Sequence, residues 1–261
     1  MIEFVVLLAV GAAAGLLAGL LGIGGGLVIV PALTWLLIGQ GADRDLAVPM
    51  AIATALGTML LTSAASAWSH ARRGNVDWHA VVRLGPAVAL GALFGGWLAS
   101  ALPGPTLARV FAVLVTFVGL RMLMGASAST RPVPPGLRGW FYAGPVIGSL
   151  SALIGIGGGS FNVPYLAWNG YSVYRAVGIA AACGWPIALA GSAGFLLLGE
   201  PAHAWPNSVS YWYMPGVIVI GAAGAATSPL GAMLSVRLGS TGLARLFGLF
   251  LLLVAARMAF D

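Results

Sequence analysis

Charged residues are scarce in this sequence. Only 7% of its 261 residues are charged, 60% are hydrophobic, and the mean hydropathy is +0.99. A soluble globular domain carries about 25% charged residues, so this chain cannot cover a water-facing surface and we predict an integral membrane protein. The apolar runs are continuous rather than alternating, which disfavours a transmembrane β-barrel and favours a polytopic all-α membrane protein.

Lysine is absent, and most of the twelve arginines stand singly between apolar runs. The formal net charge of +6 therefore indicates charges that set topology beside lipid head groups, and we predict no nucleic-acid partner. The single cysteine, Cys183, excludes an intrachain disulfide and a cysteine-based metal site. We predict neither a cofactor nor a metal.

Long stretches without a charged residue divide the chain into candidate membrane segments. A spanning helix needs about 20 residues, and the single helices predicted on that basis are 46–69, 84–102, 106–124, 176–198, 211–236 and 241–259. The uncharged runs 4–42 and 139–174 are too long for one straight helix. A glycine cluster and then a proline interrupt each of them.

The two interrupted runs are copies of each other. The segment from Gly15 to Pro31 contains Gly-Ile-Gly-Gly-Gly, and it aligns with the segment from Gly148 to Pro164, which contains the same five residues. Further matches follow in the same order: Ala47 with Ala176, Ser63 with Ser192, Pro86 with Pro215, and Arg121-Met122 with Arg257-Met258. We therefore predict a first transmembrane repeat over 1–124, a cytoplasmic linker over 125–138 and a second repeat over 139–261.

The arginine distribution predicts that the repeats are inverted. The loop with Arg72 and Arg73 and the linker with Arg131 and Arg138 are predicted to be cytoplasmic, because arginine concentrates on that side. The loop 199–210 of the second repeat corresponds to the Arg72–Arg73 loop of the first but contains no arginine. It is therefore predicted to lie outside, as are both termini. Each repeat then contains three helices and a glycine-broken hairpin, or five full crossings.

The matched glycine clusters predict a binding site for an anion. Non-helical backbone survives at membrane depth only inside the protein or along a cavity, and a helix that restarts there presents free N–H groups and a positive dipole end. Inverted repeats bring two such ends together near the bilayer midplane. The six glycines predicted to bind the substrate are Gly24, Gly25, Gly26, Gly157, Gly158 and Gly159. The alternative is that they only allow close helix packing.

The doubled Gly-x-Gly-Gly-Gly motif followed by proline, the two halves of about four segments and the chain length resemble the TauE/SafE sulfite exporter family over essentially the whole chain. The resemblance implies transport of sulfite, small organosulfonates or related sulfur-containing anions across the cytoplasmic (inner) membrane, with the glycine motifs lining the path. This sequence has two departures. Pro49 stands where the second repeat has Gly178. Ser160 and Asn162 of the second motif correspond to Leu27 and Ile29 of the first. The predicted site is therefore asymmetric.

Further polar and aromatic residues complete the predicted site. Hydroxyl and amide groups can donate hydrogen bonds to an oxyanion, and two aromatic side chains can close the cavity. These residues are Ser160, Asn162, Thr54, Ser63, Ser192, Trp185 and Tyr165. The alternatives are hydroxyl bonds to helix backbone, and core packing or an interfacial belt for the two aromatics. No carboxylate lies deep in a segment, and we expect His70, His79 and His203 to be interfacial, with a proton relay as the alternative.

Together these patterns predict an alternating-access secondary transporter for small sulfur-containing anions, with export favoured. An anion channel with the same glycine-lined filter is the alternative. We do not predict an enzyme, because the segments contain no constellation of nucleophile, base and metal ligands. The predicted partners are a small anion and the lipid bilayer, and a homodimer is left open.

Overall fold

The computed structural model describes residues 2–22, 24–124, 136–197, 205–237 and 240–260. Within these ranges the chain is all-α, apart from two paired two-residue strands, β1 (Ser208–Val209) and β2 (Trp212–Tyr213). The helices are α1 (Ile2–Leu21), α2 (Gly26–Gly39), α3 (Arg44–Arg72), α4 (Trp78–Ala101), α5 (Gly104–Met124), α6 (Leu137–Leu153), α7 (Gly159–Trp168), α8 (Val173–Leu197), α9 (Met214–Arg237) and α10 (Ser240–Phe260). Six of them, α1, α3, α4, α5, α8 and α9, are long and apolar enough to cross a membrane. The predicted polytopic all-α class is confirmed.

Both long uncharged runs are broken where the sequence predicts. The first glycine cluster separates α1 from α2, and the second separates α6 from α7. The elements consequently form two series of the same order, α1 to α5 and α6 to α10. Most of the predicted linker, residues 125–135 with Arg131, lies outside the described residues, as do Glu200 and His203 of the predicted outer loop.

One bundle consists of α1, α3 and α9, which run parallel to one another. Glycines allow the helix backbones to touch, because a side chain at these positions would overlap the neighbouring helix. Gly11, Gly15 and Gly19 of α1 contact Ile220, Gly224 and Ser228 of α9 in that order. Along α3, Thr54 contacts Gly216 and Thr62 contacts Gly224, so α3 follows the same direction as α9.

A second bundle consists of α4, α6 and α8 and is built in the same way. Gly91 and Gly95 of α4 contact Pro145 and Ser149 of α6, so these two helices are parallel. Along α8, Pro186 approaches Gly85 and Gly194 contacts Leu93, which gives α8 the direction of α4. Each bundle therefore combines two helices of one series with the fourth helix of the other.

The two bundles meet along α3 and α8, which run antiparallel. Asn75 contacts Gly178, Ser63 lies 3.1 Å from a Cβ placed on Gly184, and Leu56 lies 3.1 Å from one placed on Gly191. These helices are counterparts in the two series. Antiparallel packing of counterparts is the arrangement that inverted repeats require, and the inversion itself stays a prediction.

The two ends of the molecule differ in charge. The last turn of α3 brings Arg72 and Arg73 to the end at which α4, α6 and α8 begin, and Arg175 stands in the first turn of α8. The opposite end carries carboxylates. There, Asp45 accepts a 2.9 Å hydrogen bond from the backbone N–H of Gly104, and Tyr213 donates one to Glu3.

Candidate functional site

The glycine motifs adopt matched backbone conformations. Gly25 is the N-cap of α2 with φ 78° and ψ −15°, and Gly158 is the N-cap of α7 with φ 74° and ψ −16°. This left-handed region favours glycine, because a Cβ there collides with the following carbonyl. A glycine N-cap also has no side-chain oxygen with which to satisfy the N–H groups of the first helical turn. Both helices therefore begin with backbone donors that no N-cap side chain accepts from.

The chain reverses direction at the first motif. A Cβ placed on Gly25 would stand 2.9 Å from the carbonyl oxygen of Ala14, so α2 begins beside the middle of α1 and not beyond its end. The helix after α2 is α3, which is parallel to α1. Both predicted alternatives, a glycine-broken hairpin and five full crossings, contain such a return, so the choice between them stays a prediction.

The two motifs touch backbone to backbone. A Cβ placed on Gly24 would stand 2.6 Å from the Cα of Gly157, and one placed on Gly157 would stand 2.8 Å from the Cα of Gly24. The Cε of Met59 lies beside both positions, at 3.4 and 3.1 Å. Gly26 packs directly on the carbonyl oxygen of Gly155. The structure thus brings the motifs together, and an anion could lie between Gly24 and Gly157 only if they separated.

Three unsatisfied polar atoms lie on the second motif. Asn162 is 0% exposed, and within the described residues neither its Nδ2 nor its Oδ1 has a hydrogen-bond partner. The Oγ of Ser160 is likewise buried and without a partner there. Each buried polar group left unpaired costs about 1–3 kcal/mol, so these atoms mark a position where a ligand would compensate. Their counterparts, Leu27 and Ile29, are apolar and 0% exposed.

The three predicted hydroxyls outside the motifs have different surroundings. Ser63 donates a hydrogen bond from its hydroxyl to the carbonyl of Met59. It also packs against Gly184, and Gly184 lies close to the carbonyl oxygen of Gly157 in the second motif. Ser192 is 3% exposed, and its Oγ has no partner among the described residues. Thr54 packs on Gly216 of α9 and not on a glycine of the two motifs. Its Oγ1 accepts a 2.9 Å hydrogen bond from the backbone N–H of Tyr213.

The structure does not bring the two predicted aromatic residues to the contact between the motifs. Tyr165 donates its hydroxyl to the carbonyl of Gly139 at 2.9 Å, and its ring meets that of Trp140 edge-on at 6.0 Å. Trp185 is 44% exposed on the outer surface of α8. Tyr165 is therefore part of the packing, whereas Trp185 faces outward from the middle of α8.

His70 stands in the last turn of α3, and it is buried within the protein. Its side chain is 1% exposed, because the end of α1 covers the last turn of α3, and its Nε2 lies 3.1 Å from the carbonyl oxygen of Gly19. Its Nδ1 is buried and has no partner in the described part of the chain. His79 is exposed, as expected for an interfacial histidine. The available signal was the four-residue spacing that connects His70 to buried hydroxyls earlier in α3.

Comparisons with known proteins agree with this architecture. Residues 7–258 match the family described as sulfite exporter TauE/SafE. A probable membrane transporter protein of Haemophilus influenzae is 36% identical over 263 residues, which cover 99% of each chain. A probable membrane transporter protein of Methanocaldococcus jannaschii is 30% identical over 66% of this chain and 65% of its own length. One from Xylella fastidiosa (strain Temecula1) is 28% identical over 97% of this chain and 94% of its own.

Proposed function

Because the chain belongs to the sulfite exporter TauE/SafE family, we propose that it is a secondary transporter that exports small sulfur-containing anions, sulfite or a C2 organosulfonate, across the cytoplasmic membrane. Its family and its relatives point to a membrane transporter rather than an enzyme. The observation that carries the substrate class is Asn162, whose buried amide has no partner among the described residues and lies beside Gly158, the residue that follows Gly157 of the contact between the glycine motifs.

The residues around this contact suit a tetrahedral oxyanion. Asn162 and Ser160 supply side-chain donors, and the first turns of α2 and α7 supply backbone N–H groups and the positive ends of two helix dipoles. An oxyanion accepts several such hydrogen bonds without a formal countercharge at each oxygen. The donors on the second motif would bind the anion more closely than the apolar first motif.

Alternating access would follow from the division into two bundles. The backbone contact between Gly24 and Gly157 closes the path in this conformation. Rocking of the α1–α3–α9 bundle against the α4–α6–α8 bundle along α3 and α8 would open it to one side and then to the other. This closed contact favours a carrier over the alternative, an anion channel with a permanently open filter.

The charge distribution supports the orientation of the chain in the membrane, and the membrane potential supports export as the direction of transport. The end with Arg72, Arg73 and Arg175 would face the cytoplasm, because arginine concentrates on that side. Both chain termini would then lie outside. An anion that leaves a negative-inside cell gains about 2.3 kcal/mol per charge per 100 mV, so export is the favourable direction.

The test is counterflow of labelled ethanesulfonate, and separately of sulfite, into preloaded proteoliposomes. We expect uptake that requires internal substrate, and we expect Asn162→Leu to lower its rate roughly tenfold, which corresponds to about 1.4 kcal/mol of lost stabilisation. The matched control is Ile29→Leu, which alters the same position of the first motif without removing a polar group. Full counterflow in folded Asn162→Leu protein would contradict the site, and conductive flux without counterflow would favour the channel. Absence of flux with both anions would overturn the proposed substrate class.

A further inference from the structure

A line of buried polar side chains runs along α3 and winds slowly around it. They recur every fourth residue and are each at most 1% exposed: Thr54, Thr58, Thr62, Ser66 and His70. Four-residue spacing places consecutive side chains next to each other, about 6 Å apart along the helix axis, and turns the line around the helix by about 40° at each step. We call this set the hydroxyl stripe. It extends over most of the length of α3.

The hydroxyl stripe faces the other two helices of its bundle. Thr54, Thr58 and Thr62 contact glycines of α9, at Gly216, Gly221 and Gly224. At the far end, His70 contacts the carbonyl of Gly19 on α1. The stripe is therefore enclosed between α1 and α9 and does not face the lipid.

Several members of the stripe have no hydrogen-bond partner within the described ranges: the Oγ1 of Thr62, the Oγ of Ser66 and the Nδ1 of His70. A serine or threonine in a helix ordinarily donates to the carbonyl one turn earlier, as Thr58 does to Ala55 at 2.7 Å. Three consecutive unsatisfied groups thus follow one that is satisfied. Buried polar groups without protein partners are positions that ordered water commonly occupies.

The second bundle shows that packing does not require these polar groups. In the register that pairs Ser63 with Ser192, the first four members of the stripe correspond to Cys183, Ile187, Gly191 and Phe195 of α8. These counterparts are buried and apolar or nearly so, although α8 occupies the equivalent place in its own bundle. The same architecture is thus built without a hydroxyl stripe.

Ionisable groups stand at both ends of the stripe. At one end, Tyr213 donates its backbone N–H to Thr54 and its hydroxyl to the carboxylate of Glu3. At the other end, His70 is followed by Arg72, the last residue of α3, and by its C-cap Arg73, whose guanidinium donates to the carbonyl of Ser69 at 2.7 Å. From the neighbouring elements, α8 brings Tyr174 and Arg175 to this end, α1 has Glu3 alone at its opposite end, and α9 has no charged group among its described side chains.

We propose that the hydroxyl stripe is a hydrated proton path from Glu3 and Tyr213 to His70, and that His70 binds the proton that is coupled to anion export. The coupling rests on the function proposed above, whereas the path and the proton site do not. Single waters would bridge the gaps of about 6 Å between consecutive members. Because a carbonyl only accepts, the bond to Gly19 keeps hydrogen on Nε2, and the lone pair of Nδ1 accepts the incoming proton. The resulting imidazolium returns that proton to water beside Arg73.

Electrical work favours this direction. A proton that moves from the Glu3 end to the arginine-rich end enters a negative-inside cell, and an exported anion leaves it. Both movements follow the membrane potential. Exchange of one inward proton for one outward monovalent anion moves two charges down the membrane potential, whereas export of the anion alone moves one.

The proton site can be tested without any transported anion. The chain has three histidines, so His79→Asn with His203→Asn leaves His70 as the only one for solid-state 15N NMR of histidine-labelled protein in phosphatidylethanolamine–phosphatidylglycerol vesicles. We expect the His70 ring to gain a second proton as the pH is lowered stepwise over the range in which the protein stays folded, and to receive polarisation from water. Thr62→Val with Ser66→Ala should reduce that transfer at least severalfold. A ring that stays in one neutral tautomer over the whole range, or undiminished transfer in the double variant, would overturn the proposal.

The coupling is tested with a sulfonate that carries no proton itself at these pH values. Proteoliposomes that contain ethanesulfonate and a pH-sensitive dye should acidify inside as the sulfonate leaves. We expect His70→Gln to lower the ratio of protons to sulfonate roughly tenfold, with His70→Asn as a second variant should the first not fold. His79→Gln is the matched control and should keep the wild-type ratio. An unchanged ratio in the His70 variants overturns the coupling, whereas absent counterflow in the wild type would contradict the proposed function and leave the NMR titration to decide the proton site.

Discussion

The two halves of this molecule use one scaffold and differ in where they are polar. In the α1–α3–α9 bundle, α3 carries the hydroxyl stripe, while the glycine motif of the same half is followed by the apolar Leu27 and Ile29. In the other half, α8 is apolar at the equivalent positions, while the motif is followed by Ser160 and Asn162. Each half is therefore polar where the other is not.

This difference separates what the fold requires from what it tolerates. Glycine is needed in both halves at the motif and along the helix contacts, because a side chain there would overlap neighbouring backbone. Polar side chains are present in only one half at each place, so the fold does not depend on them. We expect glycine substitutions to cost stability, and removal of unpaired polar groups to cost function.

The largest effect should come from Gly26→Ala. The added methyl would overlap the carbonyl oxygen of Gly155 and stand 2.8 Å from its carbonyl carbon, so backbone would have to move. Overpacking of this kind costs about 1–3 kcal/mol and occasionally more, and we expect the upper end in thermal unfolding of the detergent-solubilised protein. Gly39→Ala is the matched control in the same helix, because no atom lies within 4 Å of its added methyl. Equal losses for both variants would contradict the requirement for contact between the motifs.

The next largest effect should come from two single variants, each of which gives Ile29 or Asn162 the residue of the other motif. Ile29→Asn places an unpaired amide in a position that is 0% exposed, so we expect a loss of about 1–3 kcal/mol in the free energy of unfolding. Asn162→Ile removes two unpartnered atoms, so its stability should equal or exceed that of the wild type. Chemical denaturation of the two variants measures both values. A large loss in Asn162→Ile would show that the amide stabilises the fold.

Much of the fold could be predicted from the sequence, since membrane helices are defined by uncharged length. The predicted helices 46–69, 84–102 and 106–124 lie within or close to α3, α4 and α5, and both breaks fall at the glycine motifs. Helix length is a local property, so a single sequence reveals it. The predicted inversion needs only arginine counts, and the antiparallel contact of α3 with α8 agrees with it.

The site was less accessible to prediction, because burial at helix ends depends on distant partners. His70 was expected at the interface because Arg72 and Arg73 follow it, whereas the end of α1 covers it through Gly19. Tyr165 was expected beside the cavity, yet its hydroxyl finds the carbonyl of Gly139. No local sequence pattern predicts which distant residues such side chains contact. The four-residue spacing of Thr58, Thr62, Ser66 and His70 was a readable signal, but its meaning depended on which helices cover it.

A smaller effect should separate two threonines of α3. Thr54 accepts from the backbone N–H of Tyr213, and Thr62 has no side-chain partner among the described residues, although both are at most 1% exposed. Thr54→Val should cost about 1 kcal/mol or more, because it leaves a buried N–H of the protein unpaired, whereas Thr62→Val should cost less, because only a proposed bridging water loses a partner. Denaturant unfolding of the pair decides this. If both variants lose the same amount, then the Thr62 hydroxyl has a partner as strong as that of Thr54, and the contrast within α3 disappears.

The smallest effect should appear only at alkaline pH, at the end of the first bundle where Tyr213 meets Glu3. Burial, followed by the hydrogen bond to Glu3 and its negative charge, raises the pKa of the Tyr213 phenol to about 12. The unfolded chain loses this proton near its ordinary pKa of about 10, so between these values the folded state binds more protons and stability falls as pH rises. Tyr213→Phe should abolish that fall while it removes one phenol from the ultraviolet titration near pH 12. Tyr142→Phe, at an exposed tyrosine, is the control and should leave the alkaline loss of stability intact. A Tyr213 phenol that titrates near its ordinary value would mean that the Glu3 contact is open to water, and the first bundle would then be less tightly closed at this end than its glycine contacts indicate.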